Sequence, residues 1–368
     1  MAAGYRVEAA APVAVRRDLE RLWAANLTLE RHPSDKFAWL YLEAPRLPAQ
    51  VLVLRDDQGG AVGTAGIGVR GIQVGAGLVE AGLLADLAVD KSHRSVGPAL
   101  ALVRAGKAAV DDGYALGYGF PNRLAEGVFK RAGYRVLGAI ERYARPLRHA
   151  SFVDRLEPAM LTSLPAPARA WALDVLRRPA VATLAGAAVD AARLATTGPA
   201  ALAARRHLRV STLARPDARF DALWAAARGE FAVVAERTAG FLQWRFPPSP
   251  QRTWRCAIDR ATGQLGGYAM VELVDGVAHV RDLFGHRAAM LALLDGLPLA
   301  AFRAGATSLS MRYLGAPWLR DALIERGLAP RQSPRTIALT IGAALAPAEA
   351  ALAIDADRWH LTDADEDA

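Results

Sequence analysis

The sequence predicts an α/β protein of two tandem modules joined by a helical connector. Three observations lead there. Residues 1–148 alternate short apolar strand runs with helical periods. Residues 149–206 break that rhythm; they are rich in Ala, Leu, Arg and Pro and poor in β-branched runs. From about residue 207 to 345 the opening pattern returns in weaker form, ahead of an acidic tail at 346–368. The length of 368 residues suits two domains of roughly 100–200 residues each.

In the first module, Tyr5–Ala9 reads as a strand and Arg16–Ala25 as an amphipathic helix. Ser34 is placed to cap a short helix carrying Phe37, Trp39, Leu40 and Tyr41. Gln50–Arg55 is a compact apolar strand, and Asp57-Gln58-Gly59-Gly60 turns it into Ala61–Val74. Leu83–Val89 follows as a strand, then a helix over Ser95–Asp112 with Leu100, Val103 and Val110 on its apolar face. Tyr114–Phe120 is a strand. Arg123–Ala132 is a helix stopped by Gly133, and Arg135–Pro146 returns as a strand. The connector holds helices near Pro167–Arg177 and Ala180–Leu194, then a break at Thr197-Gly198-Pro199. Four echoes in one order carry the repeat. Phe37-Ala38-Trp39-Leu40-Tyr41 returns as Phe241-Leu242-Gln243-Trp244-Arg245-Phe246, and the strand and turn at 51–63 return at 256–266. Ala85-Asp86-Leu87 returns as Arg281-Asp282-Leu283, and Phe129-Lys130-Arg131-Ala132-Gly133 as Ile324-Glu325-Arg326-Gly327.

Composition narrows the function. Hydrophobic residues at 52% and charged residues at 22% describe a packed globular chain. The single cysteine, Cys256, excludes a disulfide framework and a cysteine-rich zinc site, so no metal is expected. No charged-then-apolar leader opens the chain. The most apolar stretch, Ala180–Val189, falls short of the ~20 residues a bilayer requires. A cytoplasmic protein without a membrane span is expected, as monomer or homodimer. The net charge is +8, carried almost wholly by arginine, since the lysines are Lys36, Lys91, Lys107 and Lys130. That excess fits either a solvated surface or a partner bearing phosphate or carboxylate. The arginines are scattered and lack interleaved aromatics, so nucleic acid is not expected. The connector arginines also permit a membrane-surface helix, but its faces are mostly small alanines.

The chemistry concentrates in Leu87-Ala88-Val89-Asp90-Lys91-Ser92-His93-Arg94-Ser95-Val96-Gly97-Pro98-Ala99-Leu100. A strand ends, a short loop follows, and a helix opens with small residues that let a ligand approach the backbone. Unpaired N–H groups and the helix dipole make such a terminus suited to a pyrophosphate. This run resembles the Arg-x-x-Gly-x-Gly/Ala element of the GNAT acyltransferase superfamily, as Arg94-Ser95-Val96-Gly97-Pro98-Ala99, preceded by a strand end like the family's fourth strand. A second family pattern appears in Asn122, Ala125, Phe129, Gly133 and Tyr134. The whole chain resembles tandem GNAT proteins, a form seen in mycothiol-synthase-like enzymes and Fem-type peptidyl transferases, and the resemblance implies that each module is a mixed, mostly antiparallel central sheet flanked by helices.

The resemblance implies an N-acyltransferase using acetyl-CoA or another acyl-CoA. The pantetheine would lie along Leu87, Ala88 and Val89, and the pyrophosphate on Arg94, Ser95, Val96, Gly97 and Ala99. Asn122 and Phe129 would stand near the thiol. A small amine or amino sugar would attack the thioester directly. Two departures matter. Phe129 stands where the family places its tyrosine acid, and Pro98 removes one amide donor. As catalytic groups the sequence offers Asp86, which alternation points away from Leu87, with Glu141 and Tyr143 as further base and acid candidates. The second module lacks the phosphate loop: Gly285-His286-Arg287-Ala288-Ala289-Met290 carries no glycine placed to open an anion nest. Trp244, Arg281 and Asp282 are candidates to line the acceptor pocket. The acidic tail either frays or docks through Trp359 and sends Asp363 or Asp365 into the cleft between modules. Two alternatives stay open: a non-catalytic acyl-CoA sensor or scaffold, and a Fem-like transferase using aminoacyl-tRNA.

Overall fold

A computed structural model describes residues 4–28, 31–47, 49–160, 162–163, 165–204 and 207–366. The first half contains strands β1 (Arg6–Ala10), β2 (Gln50–Arg55), β3 (Ala61–Val74), β4 (Gly77–Val89), β5 (Leu116–Gly119) and β6 (Arg135–Pro146). Its helices are α1 (Arg16–Asn26), α2 (Pro33–Phe37), α3 (Val96–Gly113) and α4 (Arg123–Arg131). Then come α5 (Ala166–Leu176) and α6 (Pro179–Ala204). The rest holds β7 (Leu208–Leu213), α7 (Ala218–Ala227), β8 (Val233–Ala235), α8 (Ala239–Arg245), β9 (Arg252–Asp259), β10 (Leu265–Val274), β11 (Val277–Gly285), α9 (Arg287–Arg303), β12 (Ser308–Gly315), α10 (Pro317–Glu325), β13 (Ala329–Ile341), α11 (Pro347–Ala353) and β14 (Trp359–Leu361).

Most local expectations hold within a residue or two, and three do not. The short helix after residue 32 is capped by His32, not Ser34: Pro33 takes the first helical position, and the His32 ring accepts the Ser34 N–H. β4 begins at Gly77, six residues before Leu83, because Gly75 (φ +56°) folds β3 directly back into it. α6 continues through Thr197-Gly198-Pro199 without a break; the flanking alanines favour helix strongly enough to carry a proline whose ring removes one donor.

The strands join one sheet in the order β1-β2-β3-β4-β5-β13-β6-β12-β11-β10-β9-β7. β13, from the second half, lies between β5 and β6. β6, from the first half, lies between β13 and β12. β6 thus has second-half neighbours on both sides, and β13 has first-half neighbours on both sides. β14 pairs with both β12 and β8, and β8 pairs with β3. The ladder β3-β4-β5-β13-β6-β12-β14-β8 therefore closes on itself around an apolar core that includes Leu83, Tyr118, Ile337, Trp359 and Leu361.

Trp39 and Trp244 meet at the junction of the halves. Their rings stack 4.5 Å apart and 5° from parallel. Each indole N–H donates to the other residue's backbone carbonyl, at 3.0 and 2.7 Å. Aromatic stacking and two buried hydrogen bonds make this contact self-complementary, as between like surfaces.

Candidate active site

β4 and β5 run parallel from Ala81↔Leu116 to Leu84↔Gly119, where the ladder stops. β4 continues to Val89. A cavity of about 350 Å³ opens at this divergence. Its walls come from β4 (Leu84–Leu87), α3 (Leu102, Val103, Gly106), α4 and its N-cap (Asn122, Ala125, Phe129), the end of α1, Lys36, and Arg335 of β13. The second half thus supplies a wall through β13.

A β-bulge shapes the cavity floor. β3 pairs Thr64 with Ala88 and Gly66 with Ala85, so Asp86 and Leu87 together face the single residue Ala65. Asp86 adopts φ +57°, a left-handed conformation that a non-glycine residue rarely takes. The bulge breaks simple alternation, so Asp86 and Leu87 both line the cavity. The Asp86 carboxylate is 6% exposed and is held by the Lys36 ammonium at 3.0 Å and the Tyr41 hydroxyl at 3.1 Å. The Thr64 hydroxyl donates to the Asp86 carbonyl at 3.3 Å. Gly66 leaves the space that the Tyr41 hydroxyl fills, so a Cβ at that position would force Tyr41 to shift.

Above the divergence, α3 starts at Val96, and Ser95 at the cap position makes no side-chain capping bond. The first-turn amides are left for other partners, with the positive end of an 18-residue helix behind them. Pro98 removes one of those donors. Arg94 donates to the Val89 carbonyl at 3.3 Å and to the Asn26 side chain at 3.2 Å, which ties the strand end to α1. Asn122 caps α4: its side-chain oxygen accepts the Leu124 and Ala125 N–H groups, each at 3.0 Å. Phe129 is 6% exposed and packs edge-on against Tyr134, centroids 5.0 Å apart.

The structure gathers Asp86, Leu87, Asn122 and Phe129 in one cavity; Ala88, Val89 and the Arg94–Ala99 turn are not among its walls. Tyr143 and Glu141 are not brought there. They lie on β6, where it pairs with Met311 and Tyr313 of β12. The Tyr143 hydroxyl donates to Glu141 at 3.2 Å, and burial pushes its pKa up to about 12, which makes it a poor acid at neutral pH. Trp244 is taken up in the stack with Trp39. Asp282 is fully buried, and Arg281 lines a second, smaller cavity of about 110 Å³. Sequence reasoning missed Lys36 and treated Tyr41 as an apolar-face residue. The available signal was a lysine, one of four in the chain, inside a run of large apolar residues.

The second half repeats the geometry and fills it. β10 and β11 carry a matching bulge, Met270↔Asp282 followed by Val271↔Val280, with Arg281 as the extra residue. β11 and β12 run parallel only as far as Val280↔Met311. There the chain's own C-terminus enters: β14 pairs Leu361 with Leu314 and His360 with Gly315. The His360 ring bonds the Leu283 carbonyl at 2.8 Å. Asp282 accepts from Arg237 at 3.0 Å, Tyr268 at 2.6 Å and Thr362 at 2.7 Å. Arg237 is also held by Asp365 at 2.7 Å. The tail is docked rather than frayed. It occupies the second divergence, and its Glu366 reaches Arg335 at the wall of the first cavity.

This docking predicts a pH effect. Burial, and then nearby Arg237, lower the His360 pKa to about 4. The folded state thus holds fewer protons on this residue than the unfolded state between about pH 6.5 and 4. The neutral-imidazole stability is fully present above that window and is lost as pH falls through it, by roughly 3 kcal/mol for a shift of this size. Urea unfolding at a series of pH values is expected to show this loss in wild type and a shallower one in His360→Gln. Parallel profiles for the two proteins would remove His360 as the cause.

Among the described residues, no helix is long and apolar enough to cross a membrane. No protein-family model matches the sequence, and no curated protein matches it. Solved structures do match. A conserved Enterococcus faecalis protein described as a probable N-acyltransferase superposes with a TM-score of 0.59 at 10% identity, covering 92% of this chain and 72% of its own. A GCN5-related N-acetyltransferase from Kribbella flavida gives 0.58 at 14% identity, covering 92% and 71%. Another from Anabaena variabilis gives 0.57 at 13% identity, covering 91% and 73%. Over nine-tenths of its length, then, the chain has the fold of GCN5-related N-acetyltransferases.

Proposed function

We propose that the protein is an acyl-CoA-dependent N-acyltransferase, with acetyl-CoA the first thioester to test and a small amine or amino sugar as acceptor. The observation that carries this reading is the divergence of β4 from β5, with a cavity at its base and an uncapped helix terminus above it. β4 beyond Leu84 leaves the β5 ladder, so its backbone on that side is available to an extended pantetheine arm. The amide at Gly97, in the unsatisfied first turn, suits the pyrophosphate. The thioester carbon would then lie over the bulge, near Asp86 and Lys36.

Direct transfer needs two proton movements: one off the attacking amine and one onto the departing thiolate. Asp86 is placed to accept the first, directly or through water. Lys36 is placed to offset charge on the thiolate and to protonate it, a task Phe129 cannot perform. The new bond joins the acceptor nitrogen to the acyl carbon as the carbon–sulfur bond breaks, and the products are an amide and free thiol. Arg335 brings the second half to the rim, which puts the acceptor between the halves. We also infer that the chain is a duplicated module, 1–148 and 207–345, linked by 149–206 and closed by the tail at 346–368. The matched bulges, the matched divergences and the Trp39–Trp244 contact support this. On this reading the second module takes no thioester, because β14 occupies its divergence.

Phe129 favours one competing reading, a non-catalytic acyl-CoA binder. Isothermal titration with acetyl-CoA tests the shared premise. Wild type is expected to bind, and Gly97→Glu, which puts a side chain and negative charge at the helix terminus, is expected to lose binding. Binding that survives the substitution would remove the proposed phosphate site. Binding without turnover across an amine panel would select the non-catalytic reading.

A further inference from the structure

A chain of ion pairs crosses the sheet and ends at Arg335, on the wall of the first cavity. Arg252 and Arg281 share Glu272, at 2.8 and 2.9 Å. Arg281 and Arg312 share Asp363, at 2.8 and 3.8 Å. Arg312 and Arg335 share Glu366, at 3.5 and 2.6 Å. Four guanidinium groups therefore face three carboxylates, and both contacts of Arg312 are long. A fifth cation makes the excess larger. Arg142 on β6 stands directly opposite Arg312 on β12. Among the described residues it makes no ion pair, and its Nε is buried without a hydrogen-bond partner.

Like charges facing each other across a ladder are destabilising, and a buried guanidinium N–H without an acceptor adds to that cost. The arrangement persists around a cavity of about 110 Å³ whose polar walls are Arg142, Arg281, Arg312, His279, Ser310 and Asp363. The positive field is also felt by His279, whose pKa is lowered by burial first and by Arg281 next. Its ring is thus neutral at pH 7 and able to donate a hydrogen bond.

We propose that this cavity is an oxyanion-binding site that takes one phosphate, sulfate or carboxylate group between Arg142 and Arg312. Guanidinium forks match such anions bidentately, and the Ser310 hydroxyl, on the strand pair His279↔Ser310, adds a donor at the cavity wall. Asp363 is the one acidic wall: its Oδ2 is engaged by Arg281 at 2.8 Å, and its Oδ1, 3.8 Å from Arg312, has no hydrogen-bond donor among the described residues. The volume admits a single oxyanion group and excludes a nucleotide. The ligand is either a free inorganic anion or the anionic end of an organic molecule. The site stands independently of the thioester reading, because none of its walls belongs to the first cavity.

Calorimetric titration in phosphate-free buffer tests it, with inorganic phosphate and phenyl phosphate as probes. Wild type is expected to bind inorganic phosphate in one saturable step with a Kd of about 1 mM or tighter. Arg142→Gln is expected to weaken binding by about tenfold or more, the loss of one charged hydrogen bond. Gly97→Glu should bind phosphate as wild type does, which separates this site from any thioester site. Phenyl phosphate binding alongside phosphate identifies the anionic end of an organic ligand; phosphate alone identifies a free ion. Without added anion, Arg142→Gln is expected to melt at or above the wild-type temperature, because it removes a like-charge contact. The site is overturned by an absence of saturable binding at millimolar phosphate, by an unchanged Kd in Arg142→Gln, or by a melting temperature that falls in that variant without anion.

Discussion

Ending the chain at Arg358 is expected to abolish folding of the whole protein, not of its second half alone. The ten residues removed include Trp359, 1% exposed, whose truncation to alanine by itself carries a cost of about 3–5 kcal/mol. They also include Asp365, which holds the fully buried Arg237 at 2.7 Å. Breaking a buried pair from one side costs about 3–5 kcal/mol, because it strands the remaining charge. The sum approaches the total stability of a domain, about 5–15 kcal/mol. The loss cannot stay local, since β14 closes the strand ring between β12 and β8 and β8 is paired to β3 of the first half. Circular dichroism of purified 1–358 is expected to show no cooperative unfolding transition. Asp365→Ala is the graded version, with an expected loss of about 3–5 kcal/mol in urea unfolding. A truncated chain that unfolds cooperatively at the wild-type midpoint would contradict this account.

The sequence disclosed local structure far better than partnership. Ala61–Val74 and Arg135–Pro146 are legible to the residue, because apolar runs bounded by turn chemistry determine strands locally. Two residues of the echo between Phe37–Tyr41 and 241–246, Trp39 and Trp244, stack on each other, a contact that the echo itself does not predict. The placement of β6 and β13 was not legible either. A strand's pattern records which of its faces is buried, not which neighbour lies beside it. The same limit hid the site. Asp86 stood out as a carboxylate beside the strand end, but Lys36, fifty residues earlier, meets it only through the packing of α2 beneath the bulge. The sequence offers Asp282 as a candidate to line the acceptor pocket. Its pairing with Arg237 and the tail is a tertiary event that no spacing encodes.

That pairing gives the sharpest contrast between the two bulges and leads to the second large effect. At Asp282 the partner is an arginine, sealed and fully buried between two carboxylates. At Asp86 the partner is a lysine beside a cavity, 3.0 Å away. An arginine remains charged under all ordinary conditions, while a lysine can give up its proton. On the proposed function, the first bulge can therefore pass a proton through Lys36, whereas Arg237 at the second cannot. In any amine assay where wild type turns over, Lys36→Met and Asp86→Asn are each expected to lower kcat by about 10²–10⁴-fold, the usual worth of a positioned acid or base. Acetyl-CoA affinity should change little, because neither residue lies at the helix terminus. Their double variant should lose little more than either single one, since the two act as a unit. Lys36→Arg separates chemistry from charge: it keeps the ion pair and fold, but withholds the proton, so its melting temperature should stay near wild type while kcat stays low. Full activity in Lys36→Arg would reduce Lys36 to an electrostatic support for Asp86. Full activity in Asp86→Asn would show that the bulge holds no base.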